Sequence, residues 1–490
     1  MTSTSFDATP VRATDRHALT VVFTVIAGTV MIPLDVTVVA VALTRLSEET
    51  GASLPVIQWV STGYTLAVAA GIPTAAWAIG RYGGRRVFLT ALTVFTIGSG
   101  LAAISWDAPS LIAFRVLQGL GGGFVMPAAM TLTLRSAPKE QRGRIMALLG
   151  LPILVGPVFG PPLGGVLTDH LSWRWIFLVN LPIGVAAVLL GRRNLPAATG
   201  DRETVLDRRG MLLLPPAMVL LVVGTSNVDA SLLETSALVP IVAGLLLLAA
   251  FARHALRVAA PLLRVRLLGR RLTGGGALVL VLFVGAYFST LLLIPLYFQG
   301  ARGESATTTG LLMMPQAVAA GITIQVSGRL IDRVPPLRVI GTGIALATIG
   351  YAAFAAQLAD GTAYGWLVAP LVLGSTGAAA CMLPTMTLAT RYLDDPDIPS
   401  GSTIITVLNQ LAASLVTAAV SVVLAAGLTA RLPELDGGVG DLQHLPAPER
   451  LAAAPLVGEA VQMAMLLPVG MMAVSFVVAV VVLRRRSDRM

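Results

Sequence analysis

The sequence holds few of the residues from which metal, nucleotide and disulfide sites are built. Cys381 is the only cysteine, which excludes an intramolecular disulfide and a metal site made of several cysteines. Lys139 is the only lysine and lies in the segment APKEQ, so the chain has no phosphate-binding loop of the form GxxxxGK[ST]. The four histidines have no metal-ligand spacing, and neither HExxH nor GxSxG occurs. We therefore expect no cofactor, no bound metal and no enzymatic activity.

Charge is scarce as well, and long apolar runs take its place. Charged residues make up 12% of the 490 residues, whereas soluble domains carry roughly 25%. The mean hydropathy is +0.82. Many apolar stretches are long enough for a helix to cross a hydrocarbon core of about 30 Å. The composition predicts an all-α polytopic membrane protein. No small-residue cleavage site follows the first apolar run, so we interpret that run as a retained span.

Fourteen segments are expected to span the membrane. They lie near residues 18–44, 56–79, 87–105, 109–134, 144–168, 174–191, 210–227, 236–252, 273–298, 306–327, 337–357, 365–390, 400–429 and 459–483.

The basic residues favour an even number of spans with both termini in the cytoplasm. In that arrangement the outer loops hold only five of the 34 basic residues, namely Arg45, Arg174, Arg302, Arg431 and Arg450. An excess of basic residues in the cytoplasmic loops is the usual determinant of orientation. The net charge of +9 therefore reflects the membrane topology. Its secondary role is contact between the basic residues and anionic lipid of the inner leaflet. We expect no nucleic-acid partner.

A weak internal repeat indicates two halves. The loop GRYGGRRV at 80–87 has a counterpart in GRLIDRVPPLRV at 328–339, and both follow an apolar segment that contains AVAAGI. Repeated halves are typical of secondary transporters. The expected division is a cytoplasmic tail (1–17), a six-helix bundle (18–191), a linker with two extra spans (192–272), a second six-helix bundle (273–483) with an outer loop (430–457), and a cytoplasmic tail (484–490).

Two charged residues fall inside predicted spans. Asp35 lies in MIPLDVTVVAV, where a carboxylate near the bilayer centre costs ~2.5–3.5 kcal/mol on insertion scales. It is either a neutral or capping carboxyl after Pro33, or a group that carries a proton or cation and faces a water-filled cavity. Arg115 in LIAFRVLQGLGGG either reaches to the interface or is a fixed positive charge that interacts with the proton site or the substrate. We favour the functional interpretation of both.

Several motifs together resemble the major facilitator superfamily, and more narrowly its fourteen-spanner drug:proton antiporter branch. The similar segments cover nearly the whole chain in order. They are LDVTVVAVAL (34–43), QWVSTGYTLA (58–67), LIAFRVLQGLGGG (111–123), GPVFGPPLGGVL (156–167), WRWIFLVNLPIG (173–184), YFQGARGESATTTGLLMMP (297–315) and SGSTIITVLNQ (400–410).

The resemblance implies a fold of two six-helix bundles plus two inserted helices, and roles for particular residues. Asp35 and Arg115 match the positions implicated in proton coupling. The fifth-helix segment matches the antiporter motif, which is expected to pack against the other half of the molecule. Small residues there permit close helix contact, and neighbouring helices satisfy the backbone groups that proline frees. The motif residues are Gly156, Pro157, Gly160, Pro161, Gly164 and Gly165.

The loops between spans two and three and between spans ten and eleven are expected to gate the transporter. Their candidate residues are Arg81, Gly83, Arg85, Gly328, Asp332 and Arg333. For Asp332 and Arg333, at the cytoplasmic end of the tenth span, the alternative is a solvated loop pair. The first loop departs from the family pattern, because Ala76 replaces a glycine and Gly80 replaces an acid that helps to latch one state. The first-half latch is therefore in doubt, whereas the second loop keeps Gly328 and Asp332.

The expected function is proton-driven export of small amphiphilic compounds by alternating access across a bacterial cytoplasmic membrane. The protein is expected to contact membrane lipid, and a monomer is its simplest oligomeric state. Monocationic, neutral or weakly acidic substrates are expected, because spans ten and thirteen lack an acid. The candidate substrate-cavity residues are Gln58, Trp59, Tyr64, Gln118, Met126, Gln316 and Asn409. Three alternatives stay open: a dedicated exporter of one metabolite or antibiotic, an uptake symporter, and a non-transporting membrane sensor or scaffold.

Overall fold

The regular elements of the computed structural model are all helices over the residues that it describes. Those residues are 16–137, 142–197, 200–201, 203–227, 234–330, 334–358, 362–391, 393–432 and 447–484.

Eighteen α-helices are described in these ranges. In chain order they are α1 (Arg16–Thr29), α2 (Met31–Thr50), α3 (Leu54–Gly71), α4 (Ala75–Tyr82), α5 (Gly84–Ala103), α6 (Ala108–Ser136), α7 (Arg142–Leu148), α8 (Leu151–His170), α9 (Trp175–Leu178), α10 (Asn180–Asn194), α11 (Arg208–Ser226), α12 (Thr235–Ala255), α13 (Arg271–Leu296), α14 (Ala306–Leu330), α15 (Pro336–Ala356), α16 (Tyr364–Arg391), α17 (Ile398–Arg431) and α18 (Ala447–Arg484).

Within the described residues, twelve helical segments are long and apolar enough to cross a membrane. They coincide with twelve of the fourteen predicted spans, and the two that are not among them are the segments at 56–79 and 144–168. Both of these are helical but divided. The first is α3, a 3₁₀ turn at Ile72–Thr74 that contains Pro73, and α4, because proline removes a backbone donor and disturbs a regular helix. The second is α7 and α8, separated at Leu149 and Gly150.

The first predicted span is also divided and longer than expected. A turn at Val30 separates α1 from α2, and α2 continues to Thr50, where Gly51 ends it with a left-handed backbone at φ 67°. Glycine adopts that conformation without the penalty that a side chain brings.

The helices pack into two groups with an inserted hairpin. In the first group α6 lies against α3 and α5, and α2 lies against α8. In the second group α16 packs on α14 and α15, and α18 packs on α13. One apolar core is built only from residues of the second group, between Val279 and Ala479. The helices α11 and α12 pack on each other, and α11 contacts both α3 and α17, so the inserted hairpin touches both groups.

Several polar contacts join the two groups at the end that holds Arg81, Arg135, Arg142 and Arg264, here named the arginine-rich end. The Thr131 and Ser402 hydroxyl oxygens lie 2.9 Å apart. Arg135 donates to the Asp395 carbonyl oxygen at 3.2 Å, and Arg142 Nη2 lies 3.7 Å from an Asp395 carboxylate oxygen. These contacts join the two groups at the arginine-rich end.

The linker is tied to both groups at this same end. The Asp201 backbone N–H donates to the Gly80 carbonyl oxygen at 2.8 Å, and Arg264 Nη1 donates to an Asp397 carboxylate oxygen at 2.6 Å. Asp207, which precedes α11, accepts hydrogen bonds from the backbone N–H groups of Gly210 and Leu262 and contacts His254. Burial raises the pKa of Asp207, but these hydrogen bonds outweigh it and hold that pKa below its usual range.

Candidate functional site

A buried ion pair lies at the centre of the first group. Asp35, one turn into α2, and Arg115, two turns into α6, are each 1% exposed. Arg115 Nη1 donates to Asp35 Oδ2 at 2.6 Å. A charge removed from water must be paired and hydrogen-bonded, because an isolated buried charge is very unfavourable. Each of these two charges is therefore held in the interior by the other.

Polar side chains from two further positions complete the hydrogen bonding of the Asp35 carboxylate. Gln118 Nε2 and Asn180 Nδ2 both donate to Asp35 Oδ1 at 2.9 Å. Asn180 Nδ2 also lies 3.0 Å from Ser99 Oγ, which in turn donates to the Phe177 carbonyl oxygen at 3.0 Å. The carboxylate thus receives three donors, and one of them links it to α5 and α9.

The guanidinium of Arg115 is fixed by more than its ion pair. Nη1 also donates to Gln118 Oε1 at 2.7 Å, and Nε donates to the Val60 carbonyl oxygen at 3.2 Å. Its central carbon lies 4.2 Å from the ring centre of Tyr64 and 5.6 Å from that of Phe177. A cation over an aromatic face is stabilised by the ring quadrupole. The planar fork of arginine is needed for this combination, because an ammonium group is a point charge.

Glycines bring the helices of this site close together. A Cβ atom at Gly119 of α6 would overlap the Tyr64 carbonyl oxygen of α3, and one at Gly121 would lie 2.8 Å from the Ala91 carbonyl oxygen of α5. The segment GLGGG therefore lets α6 contact α3 and α5 at backbone distance, as small residues do in membrane helix pairs.

The structure divides the candidate cavity residues into separate places. Tyr64 and Gln118 lie in the Asp35 cluster, and the buried Tyr64 hydroxyl has no hydrogen-bond partner among the described residues. Gln58 and Trp59 are exposed at the start of α3, Trp59 by 50%. Met126 is half-buried on α6. No described hydrogen bond joins these three side chains to Asp35.

Gln316 and Asn409 lie in the second group, on α14 and α17. Gln316 is buried and Asn409 is half-buried. Gln316 Oε1 and Asn409 Oδ1 are both buried and have no partner among the described residues. Buried polar atoms are normally paired with protein or water. These two uncharged acceptors are therefore available to a ligand or to water.

The glycines of the fifth-helix motif face α2 rather than the second group. A Cβ atom at Gly156 would lie 2.5 Å from the Pro33 carbonyl oxygen, one at Gly160 would overlap Thr37 Oγ1, and one at Gly164 would lie 3.1 Å from the Val38 carbonyl oxygen. Their spacing of four residues places them on one face of α8.

The helix makes the expected contact with the other half, since α8 contacts α14 of the second group, whereas Gly156, Gly160 and Gly164 pack on α2. Gly165 faces open space, with no atom within 4 Å of an added Cβ. Thr37 Oγ1 donates to the Gly156 carbonyl oxygen at 2.9 Å, which joins α2 and α8 directly. Pro157 and Pro161 are part of the same helix, which runs unbroken from Leu151 to His170.

The candidate gating residues of the first loop contact the linker and the end of α10. Arg81 Nη1 donates to the Thr204 carbonyl oxygen at 3.2 Å, and Arg85 donates to the Arg192 carbonyl oxygen. Gly83 separates α4 from α5 with φ 84°, a value that favours glycine. An added Cβ at Gly80 would meet Thr204 at 3.5 Å, so the linker lies against this glycine. In the second loop, Gly328 lies in α14, and Asp332 and Arg333 are outside the described residues.

Asn180, Ser99 and Thr37 are site residues that the sequence analysis did not single out. Asn180 is the one amide in the segment WIFLVNLPIG, and a polar side chain in an apolar run is the signal that could have found it. Ser99 and Thr37 carry no comparable signal, because serine and threonine in helices commonly bond to the backbone of their own turn.

The sequence has clear relatives among known proteins. Residues 25–417 match the Major Facilitator Superfamily. The chain belongs to this family. It is 36% identical over 407 residues to a protein of Mycobacterium tuberculosis named multidrug resistance protein B homolog, covering 81% of this chain and 75% of that one. It is 30% identical over 424 residues to the drug efflux pump JefA of the same organism, covering 86% and 83% of the two chains. The protein is thus a multi-pass membrane transporter of the superfamily.

Solved structures of the superfamily have the same fold. The human organic anion transporter MFSD10 superposes with a TM-score of 0.61 at 17% identity, over 93% of this chain and 99% of the other. The proton:xylose symporter XylE superposes with a TM-score of 0.57 at 13% identity, over 93% and 95%. At such identities the likeness concerns the fold alone.

Proposed function

We propose that the protein exports small amphiphilic compounds in exchange for protons, and that Asp35 carries the proton. The observation that carries this proposal is the Asp35–Arg115 pair, which is buried inside an apolar helix bundle and joins two of its spans. An ionisable residue within a membrane span commonly marks an ion or substrate pathway. The names of two relatives, multidrug resistance protein B homolog and drug efflux pump, support export of drug-like compounds.

The proposed topology has fourteen spans, with both termini and the arginine-rich end in the cytoplasm of a bacterium, since basic residues are retained there. Two six-helix bundles (residues 18–191 and 273–483) rock against each other, and the proton site lies within the first bundle. The contacts at Thr131, Ser402 and Asp395 would then hold the two bundles together on the cytoplasmic side.

The cycle follows from what protonation does to the ion pair. A proton from outside neutralises Asp35, which weakens its bonds to Arg115 and Gln118. The Arg115 cation is then held by Gln118 Oε1, the Val60 carbonyl oxygen and the Tyr64 ring. Closure of the outer side then no longer requires a carboxylate to be moved in an apolar environment. Substrate that enters from the cytoplasm or the inner leaflet displaces the proton, because Arg115 is positioned to stabilise the carboxylate again.

The second bundle supports the proposed choice of substrate. Gln316 and Asn409 offer neutral acceptor oxygens without a partner, and α14 and α17 hold no acid along their membrane-spanning lengths. Neutral acceptors suit monocationic or neutral amphiphiles with a donor group and give a dication little compensation for losing water. We further propose that the protein is a monomer in contact with lipid and has no enzymatic activity.

Proton movement in proteoliposomes tests this function. A pH gradient is imposed in either direction, and tetraphenylphosphonium, neutral aromatic compounds and amphiphilic acids are added in turn. Antiport predicts that a substrate dissipates the gradient while moving against the proton flux. Movement of both in the same direction would identify an uptake symporter. A response to a single compound only would favour a dedicated exporter, and no response to any compound would favour a sensor or scaffold.

A further inference from the structure

Asn180 stands apart from the other two donors to the Asp35 carboxylate. Gln118 lies on the same helix as Arg115 and is bonded to it. Asn180 belongs to α10, contacts the carboxylate at 2.9 Å, and has no described bond to Arg115. It is 0% exposed. The Asn180 amide can therefore influence the charge state of Asp35 independently of the ion pair.

The local sequence places this amide. The short helix α9 ends at Leu178, and α10 begins at Asn180, two residues before Pro182. Proline is tolerated in the first turn of a helix, where its missing N–H group is not needed. One turn later, Gly184 lets α10 contact α5 so closely that an added Cβ would overlap Thr96 Oγ1. This contact brings Asn180 within 3.0 Å of Ser99 Oγ on α5.

The charges determine which way the amide faces. Both protons of Nδ2 are used, one by Asp35 Oδ1 and one by Ser99 Oγ. The opposite orientation would set the amide oxygen against a carboxylate oxygen. In the observed orientation Asn180 Oδ1 is buried and has no partner among the described residues. An unpaired buried acceptor is unfavourable, so the bond from Nδ2 to the carboxylate holds the amide in place.

We propose that Asn180 is a positioning residue of the proton site, which sets the pH at which Asp35 takes up its proton and is held in position by Ser99. This inference rests on the proposed role of Asp35 as proton carrier. A hydrogen bond to a charged group is stronger than one to a neutral group, so the Asn180 amide favours the carboxylate over the acid.

Few titratable or charged groups in the described ranges face the Asp35 carboxylate. Arg115 of α6 and the Tyr64 phenol of α3 are the titratable or charged groups that face Asp35 in the described part of the chain. Among the described residues, no charged side chain of α5, α8, α9 or α10 forms a hydrogen bond or ion pair with Asp35, whose partners are Arg115, Gln118 and Asn180. The guanidinium of Arg115 is a fixed positive charge beside Asp35.

An infrared pH titration of the full-length protein in lipid tests the proposal without any substrate. The C=O stretch of a protonated carboxyl is followed, and Asp35→Asn identifies the band of Asp35. Asn180→Leu removes the donor at similar size, and Ser99→Ala removes its anchor. Asn194→Leu is the matched control, because Asn194 lies on the same helix and donates to Thr24 Oγ1 at 3.0 Å, away from Asp35.

We expect the midpoint of Asn180→Leu to move upward by about one pH unit, a tenfold change in proton affinity. Ser99→Ala should move it less and in the same direction, and Asn194→Leu should leave it unchanged. The C=O frequency should also rise in Asn180→Leu, because the acid loses a hydrogen bond. A purely structural role would lower the amplitude and leave the midpoint in place.

The outcomes separate the two proposals. A band that titrates in the wild type, disappears in Asp35→Asn and keeps its midpoint in Asn180→Leu would contradict the role of Asn180 alone. If Asn180→Leu does not fold, an unchanged midpoint in Ser99→Ala would contradict that role equally. A spectrum with no titrating band that depends on Asp35 would contradict the proton carrier itself, and with it the inference.

Discussion

The contact between α2 and α8 predicts opposite results for two glycines of the same motif. Gly156 faces the Pro33 carbonyl oxygen, two residues from Asp35, whereas Gly165 has no atom within 4 Å of an added Cβ. Gly156→Ala should therefore force the two helices apart beside the ion pair, and Gly165→Ala should not. Both changes occur in one helix, so they share the same gain in helix propensity.

The size of the effect follows from the distance. A Cβ atom 2.5 Å from a carbonyl oxygen must move to at least 3.0 Å, so α8 shifts by about half an ångström or α2 is displaced. Overpacking of this kind costs about 1–3 kcal/mol. Replacing glycine by alanine in a helix contributes ~1 kcal/mol of stability, and this contribution cancels between the two variants. Gly156→Ala should thus be less stable than Gly165→Ala by about 1–3 kcal/mol.

Unfolding of the purified variants in detergent and proton-coupled transport in proteoliposomes measure the two consequences. Gly165→Ala should match or exceed the wild type in stability and transport at the same rate. Gly156→Ala should unfold at a lower temperature and transport more slowly, since the backbone that carries Asp35 moves. Equal stability and equal transport of the two variants would refute the assignment of this glycine face to α2.

Three further changes have defined outcomes. Thr131→Cys combined with Ser402→Cys should form a disulfide that blocks transport until it is reduced, because the hydroxyl oxygens of Thr131 and Ser402 lie 2.9 Å apart. Gel mobility and transport are measured before and after reduction. Full transport activity of the oxidised protein would contradict gating at the arginine-rich end. Arg115→Lys should lower the rate of proton-coupled transport at least tenfold, because an ammonium group cannot reproduce the bonds to Asp35, Gln118 and Val60. A transport rate near that of the wild type would contradict this role of Arg115. Asp207→Ala should destabilise the protein by about 2 kcal/mol at pH 7. Since folding lowers the pKa of Asp207, this stabilisation is present above the unfolded pKa of about 3.9 and is lost as the pH falls through the lower folded pKa. The difference in melting temperature between the wild type and Asp207→Ala should therefore shrink in acid, and a difference that stays constant would contradict this role of Asp207.

The sequence was informative about the spans and the charged pair for a simple reason. Long apolar runs and the scarcity of charge are local properties, and they indicated helices at the places where the structure has them. Asp35 and Arg115 stood out because each is a charge in an apolar run. Their direct contact depends on how α2 and α6 pack, which no local pattern contains.

Other features depended on packing that the sequence does not display. The turn at Val30 and the 3₁₀ segment around Pro73 interrupt runs that read as continuous. The glycines at 156, 160 and 164 indicated a close helix contact but not its partner, since any neighbouring helix satisfies the same requirement. The amide of Asn180 stands out in its apolar run, but its role depends on Ser99 and Asp35, which lie far from it in the chain.

The most direct test of the proposed mechanism compares two Asp→Asn variants in proteoliposomes that hold an imposed pH gradient. Asp35→Asn removes the proposed proton carrier. Asp107→Asn is the matched control, because Asp107 caps α6 by accepting the Ser110 N–H at 2.8 Å and asparagine caps a helix equally well. We expect a substrate that dissipates the gradient with the wild type and with Asp107→Asn to have no effect beyond that of empty liposomes with Asp35→Asn. Substrate-driven proton flux that persists in Asp35→Asn would show that the proton is carried elsewhere.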